Sequence, residues 1–197
     1  MTIDIDEPVV ILEYNDQWPV WYRDDAQQIS AALGSDVREI RHVGSTSIPD
    51  LAAKPIIDIL LAPTVWPLKE QTTRALGNLG YESVASSAAP RCVFGAALPD
   101  RQYFTRRRPR RTNIVCVEWH GRAWNDIVVL NDYLRANPAA ARSYGEVKKR
   151  NFASGATSLV AYSEQKYNTI GELLVAAKRW SRERSDAEQA GRRDDGR

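Results

Sequence analysis

The sequence predicts an α/β domain of the α+β kind: a mixed β-sheet flanked by helices, followed by a helical C-terminal part. Three observations carry this expectation. Strand-like runs crowd into the stretch before residue 119, and the apolar run 56–62 is broken only by Asp58, as in a strand buried on both faces. From Trp124 onward the apolar period becomes that of a helix.

Residues 9–13 alternate weakly and read as a first strand. Trp18, Trp21, Tyr22, Ile29 and Leu33 then recur at helical spacing, with Asp16 set to cap the helix ahead of Pro19 and Gly34 to end it. Residues 37–43 read as a strand feeding the turn Gly44-Ser45-Thr46-Ser47, and 55–62 as the central strand. Leu68, Thr72, Ala75, Leu76 and Leu79 mark a second helix that Gly80 stops in a left-handed conformation. Strand candidates follow at 81–85, 91–97 and 101–105, with a Pro99-Asp100 turn, and 113–119 is the clearest strand of the second half. Trp124, Ile127, Leu130 and Leu134 share one helical face, and Asn137 is set to cap a new helix that begins at Pro138. A last helix from near Ser163 carries Tyr167, Ile170, Leu173, Leu174 and Ala177. The charged stretch 181–197 has no apolar face and is expected to be a disordered tail, leaving 1–180 as one domain.

At 197 residues, 43% hydrophobic and 26% charged, the chain suits one core of its own. Its 27 basic and 25 acidic residues leave a formal net charge of +2, so bulk charge gives no reason to invoke nucleic acid. No secretory leader opens the chain and no apolar run approaches bilayer length, so the expectation is a cytoplasmic protein without a membrane partner. Cys92 and Cys116 lie in apolar runs and read as reduced core residues. The run Arg106-Arg107-Arg108-Pro109-Arg110-Arg111 reads as a solvated hairpin loop, since no aromatic residue interleaves it as a polyanion patch would require.

A phosphate needs backbone amides converging on it, and a Gly-Ser turn meets that need, with the hydroxyls of Ser45, Thr46 and Ser47 as added donors. Alone, such a turn is usually only a turn. Asp58 raises its significance, because a carboxylate between Ile and Leu in a strand must have a partner. Two readings stand open: an ion pair with Lys54 or Arg101, or a divalent ion bridging to a ligand's phosphates.

The stretches Glu13-Tyr14-Asn15-Asp16-Gln17-Trp18, His42-Val43-Gly44-Ser45-Thr46-Ser47-Ile48-Pro49, Leu51-Ala52-Ala53-Lys54-Pro55-Ile56-Ile57-Asp58-Ile59, Arg101-Gln102-Tyr103-Phe104 and Asp132-Tyr133-Leu134-Arg135-Ala136-Asn137-Pro138 resemble the GrpB family of nucleotidyltransferase-fold proteins over roughly residues 8 to 178. The resemblance implies a nucleotidyltransferase-like fold in which Gly44, Ser45 and Thr46 hold phosphates, Lys54 and Arg101 stand beside them, and Tyr103 joins the substrate-binding set. It implies Mg2+ at Asp58, with Glu118 as the third-acid candidate, whereas Leu60 stands where the superfamily has a second acid. It also implies a His-x-His pair in the strand 113–119, assigned to Ile114 and Cys116, so that its loss leaves a more apolar floor. His42 is a candidate for a ligand phosphate or sugar, or for a supporting role. Tyr162 and Lys166 are candidates to close over the pocket.

The activity this implies is binding of a nucleotide or another phosphorylated small molecule and transfer of a nucleotidyl group to a small acceptor. Two alternatives stand beside it. One is a non-catalytic nucleotide-binding or accessory module, and the other is the same fold put to a different small-molecule transformation in specialised metabolism.

Overall fold

The computed structural model describes residues 10–84, 100–153 and 159–194, with the backbone alone at 159–167 and 190–194. The strand expected at 91–97, Cys92, and the side chains of Tyr162 and Lys166 lie outside the described residues. Among the described residues five strands form one mixed sheet in the order β1-β2-β5-β4-β3. They are β1 (Val37–Val43), β2 (Ile57–Pro63), β3 (Glu82–Val84), β4 (Arg101–Arg106) and β5 (Thr112–Val117). Among these strands the central pair β2 and β5 is parallel, and β1, β4 and β3 join antiparallel.

Alternation along the strands sorts the core into two faces. On one face Ile57, Ile59, Leu61, Phe104, Ile114 and Cys116 pack beneath α1 (Gln17–Leu33) and α2 (Glu70–Asn78), through Trp18, Ile29, Leu33 and Leu76. On the other, Val43, Leu60, Ala62 and Val117 meet Ala123 and Trp124 of α3 (Arg122–Ala136). Beyond α3, α4 (Pro138–Ala153) and the long α5 (Leu159–Asp194) complete a helical layer, tied by a Lys178–Asp126 ion pair of 2.5 Å and an edge-on contact of Tyr133 with Trp180. The expectation of a mixed sheet flanked by helices with a helical C-terminal part holds. Among the described residues no helix is long and apolar enough to cross a membrane.

Several local expectations change. Residues 10–13 form no strand, only the isolated bridge Leu12 to Ala53. Asp16 caps nothing with its side chain; Asn15 Oδ1 accepts the Gln17 amide instead. Asn137 turns back to donate to the Tyr133 carbonyl at 2.8 Å, closing α3 rather than opening α4. Helix α5 continues through Asp194, past residue 181 where the sequence reading sets a disordered tail. Ion pairs four residues apart, Arg179–Glu183 and Arg184–Glu188, line that exposed stretch and favour helix without an apolar face.

The largest departure is the arginine run. Arg106 is 5% exposed and donates to Asp25 Oδ1 of α1 at 2.5 Å; Arg110 reaches the same carboxylate at 2.9 Å, and Thr112 donates to Oδ2 at 2.7 Å. The two ends of the β4–β5 connection therefore clamp α1 to the sheet instead of waving in solvent, and Arg106 also lies over the Tyr81 ring. Asp25 itself is fully buried. Removing one partner from such a cluster leaves buried charge uncompensated. Asp25→Ala is thus expected to lose about 3–5 kcal/mol in urea unfolding; a loss below about 1 kcal/mol would mean the clamp is not structural.

Candidate functional site

The antiparallel ladder of β1 and β2 brings Val43 level with Asp58, so the turn that follows β1 lies against that carboxylate. The contact is close. Gly44 adopts φ +73 and ψ −175, a region reserved for glycine, and a Cβ built there would stand 2.6 Å from Asp58 Oδ2. Glycine is needed here twice, for the backbone conformation and for the space.

The turn is held from within. Thr46 Oγ1 donates to the Ile56 carbonyl at 3.1 Å, and Ser47 Oγ donates to the Gly44 carbonyl at 2.7 Å while lying 2.8 Å from the Asn131 side-chain amide of α3. Arg135 adds a bond of 2.6 Å to the Ser47 carbonyl. Thr46 and Ser47 are almost fully buried, so two of the three hydroxyls expected to serve a phosphate serve the turn's own shape. Ser45 is the hydroxyl that lines the adjoining cleft.

His42 is part of the same scaffold. Its ring stacks on Tyr22 with centroids 4.7 Å apart, and Nε2 lies 3.1 Å from Thr46 Oγ1. Because the Thr46 proton is directed to Ile56, Nε2 carries the hydrogen that Thr46 accepts. Burial, and secondly the charge of Arg135, lower the imidazole from its ordinary 6.5 to about 4, so it is neutral at pH 7.

Asp58 belongs to a polar row that crosses three strands at one level. Thr105 Oγ1 of β4 donates to Asn113 Oδ1 of β5 at 3.1 Å, and Asn113 Nδ2 donates to Asp58 Oδ1 at 3.0 Å. The register corrects the sequence reading of this floor. Asn113 and Val115 share the face of Asp58, whereas Ile114 and Cys116 pack against α1 and α2 on the other. A His-x-His pair beside Asp58 would occupy 113 and 115, and here those positions hold Asn and Val. Burial pushes the Cys116 thiol well above its usual range, in keeping with a core residue.

A cleft of about 230 Å3 opens between this face of the sheet and the helical layer. Gly44, Ser45, Asp58, Arg101 and Tyr103 all line it, so five of the expected site residues converge. Its roof is mostly aliphatic, built from Ile127, Leu130 and Leu134 of α3 and Ile170 and Leu173 of α5, with Asn131 of α3 and Tyr144 of α4 beside them. Four expected residues are elsewhere: His42 and Thr46 sit behind the turn, Lys54 lies in the bend before β2, and Glu118 is exposed past the end of β5. Glu118 follows Asn113 by five residues, roughly 16 Å along a strand, too far to share a metal ion with Asp58. Among the described residues no group of three or more His, Cys, Asp or Glu side chains could hold a metal ion. Sequence reasoning missed Asn113, Asn131 and Arg135; an asparagine opening an otherwise apolar strand, where that residue is disfavoured, was the available signal.

The sequence profile of the family described as GrpB protein matches residues 8–175. The UPF0157 protein YqkA of Bacillus subtilis (strain 168) is 31% identical over 180 residues, covering 91% of this chain and 50% of that protein, so the chain spans half the length of this relative. The Glutamate-rich protein GrpB of Alkalihalophilus pseudofirmus is 26% identical over 168 residues, 84% of this chain and 94% of that one. Among solved structures, the conserved protein GrpB from Enterococcus faecalis superposes with a TM-score of 0.75 at 26% identity, covering 87% of this chain and 99% of that chain.

Two outcomes follow from this geometry. Gly44→Ala should strain the turn by about 1–3 kcal/mol and displace the Asp58 carboxylate, read as lowered unfolding stability and a changed Asn113 side-chain amide resonance; an unchanged resonance would mean the contact is slack. For His42, the unfolded chain takes up a proton near 6.5 and the folded one only near 4, so its contribution is whole above pH 6.5 and declines as pH falls toward 4. His42→Gln keeps a donor for Thr46 without titrating, and should flatten the stability slope over that window; equal slopes would assign the loss to other groups.

Proposed function

Since the chain belongs to the GrpB family, we propose that it binds a phosphorylated small molecule, a nucleotide foremost, at the Gly44-Ser45 turn, and transfers a nucleotidyl group to a small acceptor in the adjoining cleft. The supporting observation is the contact between Gly44 and Asp58. A phosphate on this turn lies beside a carboxylate, and two anions so close need a cation between them.

The donors at hand fit one Mg2+ and not a pair. Mg2+ is commonly held by one or two carboxylates together with the ligand's own phosphates, which Asp58 satisfies. A two-ion site needs further acids, whereas Asp58 is level with Val43 on one side and Asn113 on the other, with buried Leu60 two residues on along its own strand. When bound, such an ion neutralises charge on the phosphates.

The chain's own residues do the rest. Gly44 admits the ligand close to the backbone, and the Ser45 hydroxyl donates to a phosphate oxygen. Asn113 orients the Asp58 carboxylate through Oδ1, leaving Oδ2 turned toward the turn. Asn131 and Arg135 keep the turn rigid, and the aliphatic roof excludes water from the acceptor side. Asp58 is the carboxylate among the described cleft residues, and thus the group to take the proton from an attacking hydroxyl.

An accessory, binding-only role is the second reading, favoured by Asn113 and Val115 standing at the two positions beside Asp58 where the implied His-x-His pair would fall. Thermal unfolding with nucleoside triphosphates separates the two. With nucleotide at a hundredfold excess over Kd, Tm should rise by about 5–10 °C in the presence of Mg2+ and not in EDTA, and Asp58→Asn should abolish the metal dependence while leaving the unliganded Tm intact. Protection without release of pyrophosphate in the presence of acceptors would favour the accessory role. No protection by any phosphorylated ligand, or equal protection of Asp58→Asn, would sink both.

A further inference from the structure

The register of the sheet separates Arg101 from the phosphate turn. Asp58 is level with Asn113 and Thr105, but Arg101 is level with Val117, four residues further along β5 and two strands away. Backbone to backbone, that is roughly 13 Å along the strands and 10 Å across them. Arg101 and Tyr103 share one face of β4 and both line the cleft, with Arg101 at the end of the floor away from Asp58 and Val115, level with Tyr103, between the two.

We infer that the small acceptor is a compact, mainly apolar hydroxy acid whose carboxylate Arg101 holds with Tyr103, while its hydroxyl oxygen bonds to the nucleotide's α-phosphorus, its proton passes to Asp58 and pyrophosphate leaves; this rests on the transfer reading above. Three features of the cleft argue for it. Its volume, about 230 Å3, falls below the ~300–1,000 Å3 usual for pockets that enclose a drug-sized ligand. A nucleotide would therefore lie at the rim, where Gly44 is exposed, and leave the interior to a smaller partner. Between these ends the lining is mostly aliphatic, from Val43, Val115 and the roof; Asn131 and Tyr144 are its polar members, and the Asn131 amide oxygen already accepts from Ser47. At the far end, Arg101 Nε is buried and makes no hydrogen bond, although Asp100 Oδ1 lies 3.4 Å away. A planar carboxylate fits the fork of a guanidinium and satisfies that donor. Asp100 also offsets part of the arginine's charge, which suits a singly charged group better than a phosphate dianion.

Calorimetric titration with 3-phenylpropanoate and with its neutral amide tests the assignment. The acid should bind the wild-type protein at least about tenfold more tightly than the amide. Arg101→Met should erase that difference and Arg101→Lys retain part of it, while Arg107→Met, at an exposed arginine outside the cleft, leaves it unchanged; melting curves confirm that each variant folds. Protection by Mg2+ and nucleotide should persist in Arg101→Met. Equal binding of acid and amide, binding of neither, or an acid preference that survives Arg101→Met overturns the assignment, as does loss of nucleotide protection in that variant. A protein that ignores nucleotides yet binds the acid through Arg101 would instead sink the transfer reading and leave Arg101 as a carboxylate site.

Discussion

The buried carboxylate of Asp25 governs more of this molecule than its place on α1 implies. Two arginines and Thr112 converge on it from the β4–β5 connection and the first residue of β5. Its oxygens are satisfied from three directions, which is the condition under which a buried charge is tolerated. By holding Thr112 on the α1 side, it fixes where β5 begins against β2, with Thr112 level with Ile57. The next residue, Asn113, must then face the opposite side and arrive level with Asp58. A clamp on one face of the sheet thus determines which side chain meets the carboxylate on the other.

Much of the architecture was legible because the apolar period was strong. The spans of β1 and β4, the apolar run of β2 and the helix stop at Gly80 follow from alternation and from glycine's access to positive φ. Gly44, Ser45 and Asp58 were legible as a unit because a polar turn and a lone acid in an apolar strand are both exceptions that need a reason. Arg101 and Tyr103 reached the same cleft because side chains two apart on a strand share a face.

The rest depended on pairings that one strand cannot announce. Alternation within 113–119 was read correctly, but which of its two faces meets Asp58 is decided by the parallel register with β2, and a choice of the wrong face exchanges every side chain. That is why Ile114, Cys116 and Glu118 were expected at the site while Asn113 and Val115 occupy it. The arginine run misled for a related reason. A cluster of like charges is normally solvated, and a buried Asp lying 81 and 85 residues earlier in the chain draws Arg106 and Arg110 inward. His42 and Thr46 act as the frame of the Gly44–Ser47 turn because their polar atoms are satisfied by one another and by Ile56.

The contact between Gly44 and Asp58 also constrains how this sequence can drift. Neither position can be varied on its own terms: a side chain at 44 collides with the carboxylate, and shortening residue 58 makes room that the φ of residue 44 still discourages filling. Substitutions at the two positions are therefore epistatic and ordered. A descendant that lost the acid would still keep the glycine, because the backbone at 44 demands it whatever stands at 58, whereas one that lost the glycine would have to move the acid as well.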